Sequence, residues 1–329
     1  MNSVKISKKR GSILISVILA MLIMFASCFT VFADGTETPI VPSDSGVEIN
    51  GLNLVLSGEI GLTYHVYVPK KYRDGTMKLT FMDKEPITMN ITDCPRDSNL
   101  RYTATYYLSA IELSEPVTLT VYDKYGQPLA QKSRSAEDYV NLLLKDEKAT
   151  EQEKNVAKSL INYGHFAQLA CSEENGWVIG EDLAETSKLY DLTVGTDVFD
   201  AYGIEWEKYS TSFRTFNMAL RLDYKTDIYL YFPLSEKPTV TVNGKATEAV
   251  KSERSQDRYE VRIGEISALK LDEKYTVTVN EAVFTISAFT YCNLAVSSGK
   301  NKNTIDAIRA LYEFYRATVD YNVAAGVQN

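Results

Sequence analysis

Apolar residues occupy every second position through much of 52–69. Leu52, Leu54 and Leu56 share one face of a first strand, and Tyr64, Val66 and Val68 one face of a second, leaving His65 and Tyr67 on the other. The pattern returns at 216–233. Laid over one another, the two stretches run without a gap: Asn53 falls on Asn217, Leu56 on Leu220, Tyr67 on Tyr231 and Pro69 on Pro233. Each reads as two strands joined by a short polar turn. The chain is therefore expected to be one module made twice.

After the first block, Asp74-Gly75 is a turn signal leading to a strand with Met77, Leu79 and Phe81 in step, and further strand-like runs follow at 87–91, 102–108 and 117–123. The period then changes. Ser135 with Asp138 caps a helix whose Tyr139, Leu142 and Leu143 share a face. Thr150 with Glu153 opens a second helix, in which Val156, Leu160, Tyr163, Ala167 and Ala170 keep helical spacing. The second half repeats the order. It has strand runs at 238–242, 258–263 and 275–279, an Asn243-Gly244 hairpin, a helix stopped at Gly299, and a long helix capped at Asn303 or Thr304. Leu311 and Phe314 fall on Leu160 and Tyr163.

These patterns predict an α+β fold of two tandem modules, each an antiparallel β-sandwich followed by a helical hairpin. The expected boundaries are a signal peptide at 1–33, a flexible tether at 34–50, module one at 51–172, an acidic aromatic connector at 173–210 and module two at 211–329. The seam from 172 to 208 holds ten acids against Lys188 and Lys208, with Trp177, Trp206, Tyr190, Tyr202 and Phe199 interleaved. That interleaving predicts a packed connector.

Composition narrows the class. The 329 residues carry a formal charge of −8, and the basic Lys5, Lys8, Lys9 and Arg10 stand in an N-terminal segment without acids, so its removal leaves −12. Such a surface repels nucleic acid and anionic lipid. The basic start, the apolar run from Ile13 and the small residues before Asp34 predict secretion, with cleavage between Ala33 and Asp34. A lipidated Cys28 and an uncleaved anchor are the alternatives. Cys94, Cys171 and Cys292 then remain, an odd number, each expected to be a small buried hydrophobe.

The strand block followed by Leu-x-Asn-Tyr-Gly-x-x-Ala-Gln (Leu160, Asn162, Tyr163, Gly164, Ala167, Gln168) resembles modules of secreted and surface proteins from gut Gram-positive anaerobes. The resemblance covers 51–172 and about 211–325. It implies an extracellular setting and no settled activity or catalytic residues. The second half departs from it, with Tyr315 in the place of Gly164 and Thr318-Val319 in that of Ala167-Gln168.

No catalytic signature stands out. His65 and His165 are the only histidines, and the repeat sets them against Tyr229 and Arg316. The nucleophile-elbow and HExxH patterns are absent, and the stretch 297–304 lacks the glycine and the hydroxyl residue of a phosphate loop. The expectation is a non-enzymatic, secreted binding protein without metal or cofactor. Its partner is an extracellular protein, of host or bacterial surface, with an immunoglobulin-type ligand among the options. A carbohydrate-binding module and a structural spacer are the alternatives. Tyrosine supplies rigid contact area at low entropic cost, and the chain has 22. The candidate binding residues are Tyr67 and Tyr231, with Trp177 and Trp206 in the connector.

Overall fold

The computed structural model describes residues 45–55, 59–175, 188–222, 225–253 and 255–324. The expected signal segment with Cys28, the Ala33–Asp34 bond and Trp177 lie outside the described residues. The fold is mixed α+β, with four antiparallel sheets and long helices closing each half of the chain. Among the described residues no helix is long and apolar enough to cross a membrane.

The first half begins with β1 (Glu48–Val55) and β2 (Gly61–Tyr67). Then come β3 (Thr76–Phe81), β4 (Ile87–Asn90), β5 (Tyr102–Tyr107), β6 (Val117–Tyr122) and β7 (Pro128–Arg134). They form two sheets, ordered β1-β2-β5 and β4-β3-β6-β7. Alternation decides what they bury: Leu62, Tyr64 and Val66 from β2, Met77, Leu79 and Phe81 from β3, and Val117, Leu119 and Val121 from β6 all enter the core. Tyr64 ties the sheets together, its hydroxyl donating to the carbonyl of Val117 at 2.6 Å. The helices α1 (Ala136–Lys145) and α2 (Glu151–Asn175) follow. The expected tether ends sooner than residue 50. β1 starts at Glu48, Val47 is already buried, and the buried Ser45 donates its hydroxyl to the carbonyl of Leu129 at 2.8 Å.

In the second half β8 (Glu205–Lys208) precedes β9 (Asn217–Leu222), β10 (Thr226–Phe232), β11 (Val240–Val242) and β12 (Lys245–Thr247). Next are β13 (Ala249–Ser252), β14 (Ser255–Ile266), β15 (Tyr275–Val279) and β16 (Ala282–Ile286). The sheets run β13-β14-β10-β9 and β12-β11-β15-β16-β8. The helices α3 (Ala288–Ser297) and α4 (Lys302–Ala324) end it. Asn243 and Gly244, at φ 48° and 75°, make the tight β11–β12 turn that their sequence predicts. The cap of α4 is neither Asn303 nor Thr304. The side chain of Asn301 accepts the amide of Thr304 at 2.8 Å, so the cap stands two or three residues before the expected ones.

The first two strands of each half differ in register. Leu54 faces Leu62 across the β1–β2 hairpin, whereas Met218 faces Leu230 across β9–β10, four residues further along the second strand than an ungapped alignment requires. The chain turns two residues later in the second hairpin than the ungapped alignment places it, so the residues that face one another across the two hairpins are not the ones the alignment matches. Four is an even number, so the slide keeps the apolar face inward: Phe216, Met218, Leu220 and Leu222 are all buried.

One continuous apolar core runs through both halves. Packing of α2 against α4 joins them, and the connector lies across that pair. Asn162 on α2 clamps Tyr190, accepting its amide at 2.9 Å and donating to its carbonyl at 2.7 Å. Arg309 on α4 donates to the carbonyls of Val194 and Leu192. Phe199 is fully buried against Phe289 and Tyr312.

Candidate functional site

The residues leading out of β7 build a cleft. Ser135 caps α1 reciprocally, its hydroxyl accepting from the Asp138 amide and its own amide donating to the Asp138 carboxylate, both at 3.0 Å. This turn folds α1 back beside the ends of β7 and β1. The space between them is about 360 Å³, within the size range of ligand pockets. Asn50, Gly51 and Leu52 of β1 form one wall, and Tyr139, Leu142, Leu143 and Asp146 of α1 and its end form another. Lys132 and Arg134 of β7 complete the lining.

Both cations rest on backbone oxygens. Lys132 donates to the carbonyl of Ile49 and Arg134 to that of Ser133, each at 3.0 Å. Neither forms an ion pair among the described residues, although the protein is acidic. Asp146, also in the lining, accepts the Lys148 amide on one carboxylate oxygen at 2.9 Å.

β7 is also the edge strand of its sheet. Thr118 and Ser133 face each other across β6 and β7 and share a side-chain hydrogen bond of 2.9 Å, as expected for a non-hydrogen-bonded pair. The backbone groups of Ser133, and of Gln131 two residues before it, therefore point outward, away from β6. In the second half the same outward positions are taken. β16 leads into α3 through the cap Ser287 as β7 leads into α1 through Ser135, and β8 pairs with its outer edge, Lys208 opposite Val283 and Glu205 opposite Thr285. Three residues before each cap stand Lys132 and Phe284, and one residue before stand Arg134 and Ile286. Phe284 and Ile286 are buried, and Trp206 from β8 packs on Phe284 with ring centroids 4.9 Å apart. The first half thus keeps open, and lines with cations, the place that β8 and Trp206 fill in the second.

The sequence candidates do not converge. Tyr67, Tyr231 and Trp206 lie on three different sheets. Tyr67 ends β2 opposite Glu48 and is 49% exposed. Tyr231, in the same sequence column, is only 8% exposed, and Tyr229 is buried beside it. Neither of these two is the open surface residue that the alternation predicts. β10 is an inner strand, small Ala219 stands opposite Tyr229, and the two tyrosine rings stack on each other at 6.4 Å. Trp206 is half-buried under Tyr209, which stacks on it at 5.0 Å and is itself 72% exposed.

His65 is likewise buried rather than displayed. Its Nδ1 meets Asp97 at 2.8 Å, and Gly51 opposite leaves room for the ring, since a Cβ there would lie 2.7 Å from that of His65. Asp97 also accepts from the Arg101 side chain at 2.6–2.7 Å and from the Asn99 and Arg101 amides at 2.9 Å. Partial burial works against its charge. The Arg101, His65 and Asn99 hydrogen bonds outweigh that and hold the carboxyl well below the ordinary carboxylate range. The Nε2 of His65 is buried without a hydrogen-bonding partner among the described residues, and the Asp97 bonds to the Asn99 and Arg101 amides organise the loop before β5. Cys94, Cys171 and Cys292 are buried thiols that form no disulfide among the described residues. The described residues hold no group of His, Cys, Asp and Glu arranged for a metal.

Lys132, Arg134 and Gln131 escape a search for aromatic or catalytic residues. Their signal is a contrast: Gln-Lys-Ser-Arg before the cap Ser135, against Val-Phe-Thr-Ile before the cap Ser287. No protein-family model and no curated protein matches the chain.

Proposed function

We propose that the chain is a secreted, non-catalytic binding protein of two tandem modules. In this reading each module is a β-sandwich followed by a helical pair, and the first module takes an extended segment of a protein ligand on the outer edge of β7. The ligand belongs to the extracellular milieu, on a host protein or the bacterial surface. Duplication is supported by strand order: β1-β2-β5 answers to β9-β10-β14, and β4-β3-β6-β7 to β12-β11-β15-β16. Fusion of the copies through α2 and α4 fixes their spacing, so avidity depends on a rigid span rather than a flexible linker.

The single observation that carries the binding site is the contrast between the two sheet edges. In one half a strand of the chain lies on the edge and its tryptophan fills the space beside it; in the other the same edge borders a cleft. Strand addition supplies backbone hydrogen bonds for affinity and alternate side chains for specificity.

The test compares capture from serum and mucus by the wild type and by Gln131→Pro. That substitution removes an outward amide while leaving the ladder to β6 in place. Loss of capture by a variant with unchanged circular dichroism and melting temperature supports the reading; equal capture by both overturns it.

One observation favours the carbohydrate alternative: the exposed ring of Tyr209, seated on Trp206, presents a face on which a sugar can stack. A glycan array in which binding disappears with Tyr209→Ala, and not with Gln131→Pro, selects that reading instead.

A further inference from the structure

The cleft beside β7 also specifies the chemistry of what it receives. Lys132 and Arg134 stand two positions apart on a strand, hence on one face, and both line the cleft. In the second half, the residue of β8 directly opposite Phe284 is Trp206. A strand seated on β7 in the same register places one side chain opposite Lys132, which holds the position of Phe284. Its next same-face side chain lies opposite Arg134. Directly opposed residues of antiparallel strands have Cβ atoms about 5 Å apart, close enough for a carboxylate to meet either cation.

The charges in the cleft leave this role open. Among the described residues Lys132 and Arg134 have only backbone carbonyls as partners, and the neighbouring Asp146 accepts from an amide of its own turn. Two cations without an ion pair among the described residues, on one face of an open edge and outnumbering the single carboxylate of the lining, Asp146, make a contact for anions. The apolar parts of Tyr139, Leu142 and Leu143 offer the remaining contact area.

We propose that β7 recognises an extended acidic segment of a partner protein, antiparallel to it, with carboxylates at alternate positions facing Lys132 and Arg134. The inference rests on strand addition at β7, and its test separates the two ideas. The probes are two synthetic ten-residue peptides, one alternating glutamate with valine and one alternating glutamine with valine. They are measured by fluorescence anisotropy against the full secreted chain and a Lys132→Gln/Arg134→Gln double variant. Hydrogen exchange is followed at Gln131 and Ser133.

The glutamate peptide is expected to bind about tenfold tighter than the glutamine peptide, from two charge-assisted contacts. The double variant is expected to erase that difference, while the amides of Gln131 and Ser133 gain protection. Equal binding of both peptides with that protection overturns acidic recognition and leaves strand addition standing. Tight binding of the glutamate peptide without protection at Gln131 and Ser133, matched by free citrate, overturns both and leaves a small-anion site. No binding of either peptide to the folded chain overturns the acidic specificity, and strand addition is then judged by the Gln131→Pro capture experiment alone.

Discussion

The ring of Tyr163 on α2 stacks on that of Phe314 on α4, with centroids 5.7 Å apart and planes 16° from parallel. These two residues fall on one another when the sequences of the two halves are aligned, so the halves meet through matching positions of that alignment. Around this contact the two sets of sheets and helices share one apolar core.

Tyr163→Ala is therefore expected to cost about 3–5 kcal/mol, the range for removing a buried aromatic ring. The loss should appear as one displaced urea transition, coincident by circular dichroism and tryptophan fluorescence. Two separate transitions would mean that the halves unfold independently and that the helix pair does not couple them.

Asn162 spans another junction, since its amide group both donates to and accepts from the backbone of Tyr190. Asn162→Ala leaves the Tyr190 amide and carbonyl without those partners and is expected to cost about 1–3 kcal/mol. Asn162→Asp keeps an acceptor for the Tyr190 amide but sets a buried carboxylate oxygen against the Tyr190 carbonyl, so it is expected to cost at least as much as Asn162→Ala. The readout is exchange of the Tyr190 amide, which should quicken in both variants.

The caps and hairpin that carry local chemistry were legible in the sequence: Ser135 with Asp138, Thr150 with Glu153, and Asn243-Gly244 all make the contacts their spacing implies. Each depends on neighbours within a few residues. The register of β9 against β10 was not legible, because sliding a strand by an even number of residues preserves its apolar pattern. Nor was the site. Lys132 and Arg134 resemble any solvated strand face until β8 shows what lies at the matching edge of the other half. Alternation separates two faces of a sheet but does not say that the face carrying Tyr229 and Tyr231 is covered.

Glu281 fixes the turn before β9. It accepts from the amide and hydroxyl of Thr211, both at 2.7 Å, and from the hydroxyl of Ser210 at 3.2 Å. These bonds, those from Thr211 first, lower its pKa from 4.5 to about 2. A depressed carboxyl contributes stability in full above its unfolded value and loses it as pH falls through the folded one. Wild type should therefore melt above Glu281→Gln at neutral pH, and the gap should close between about pH 4.5 and 2. A gap that persists unchanged to the acid end of that window would show that the charge of Glu281 is not what holds the turn.

The three described cysteines should be silent in the native state. Burial pushes the Cys94 thiol up to about 11, with the nearby Asp93 adding to it, and burial raises that of Cys292 as well. A thiol rather than a thiolate, shielded from reagent, reacts slowly. Ellman's reagent at pH 8 is expected to label none of Cys94, Cys171 and Cys292 within minutes, and all three in urea. Prompt labelling of one native thiol would identify a site that opens.

Tyr67 and Tyr231 supply the sharpest comparison between sequence position and structural role. They occupy one column when the two halves of the sequence are aligned, yet Tyr67 ends its strand in solvent whereas Tyr231 is packed with Tyr229 on an inner strand. Removing an exposed ring takes little surface out of the core, so Tyr67→Ala should change stability by no more than about 0.5 kcal/mol. Removing Tyr231 opens a gap beside Tyr229 and Ala219, and Tyr231→Ala is expected to cost about 2–4 kcal/mol. Urea midpoints of the two variants at constant slope measure the difference. Were the two to be equal, the outer face of β10 would be as open as that of β2. Tyr231 would then regain its standing as a binding residue, and the asymmetry between the halves would be confined to the β7 and β16 edges.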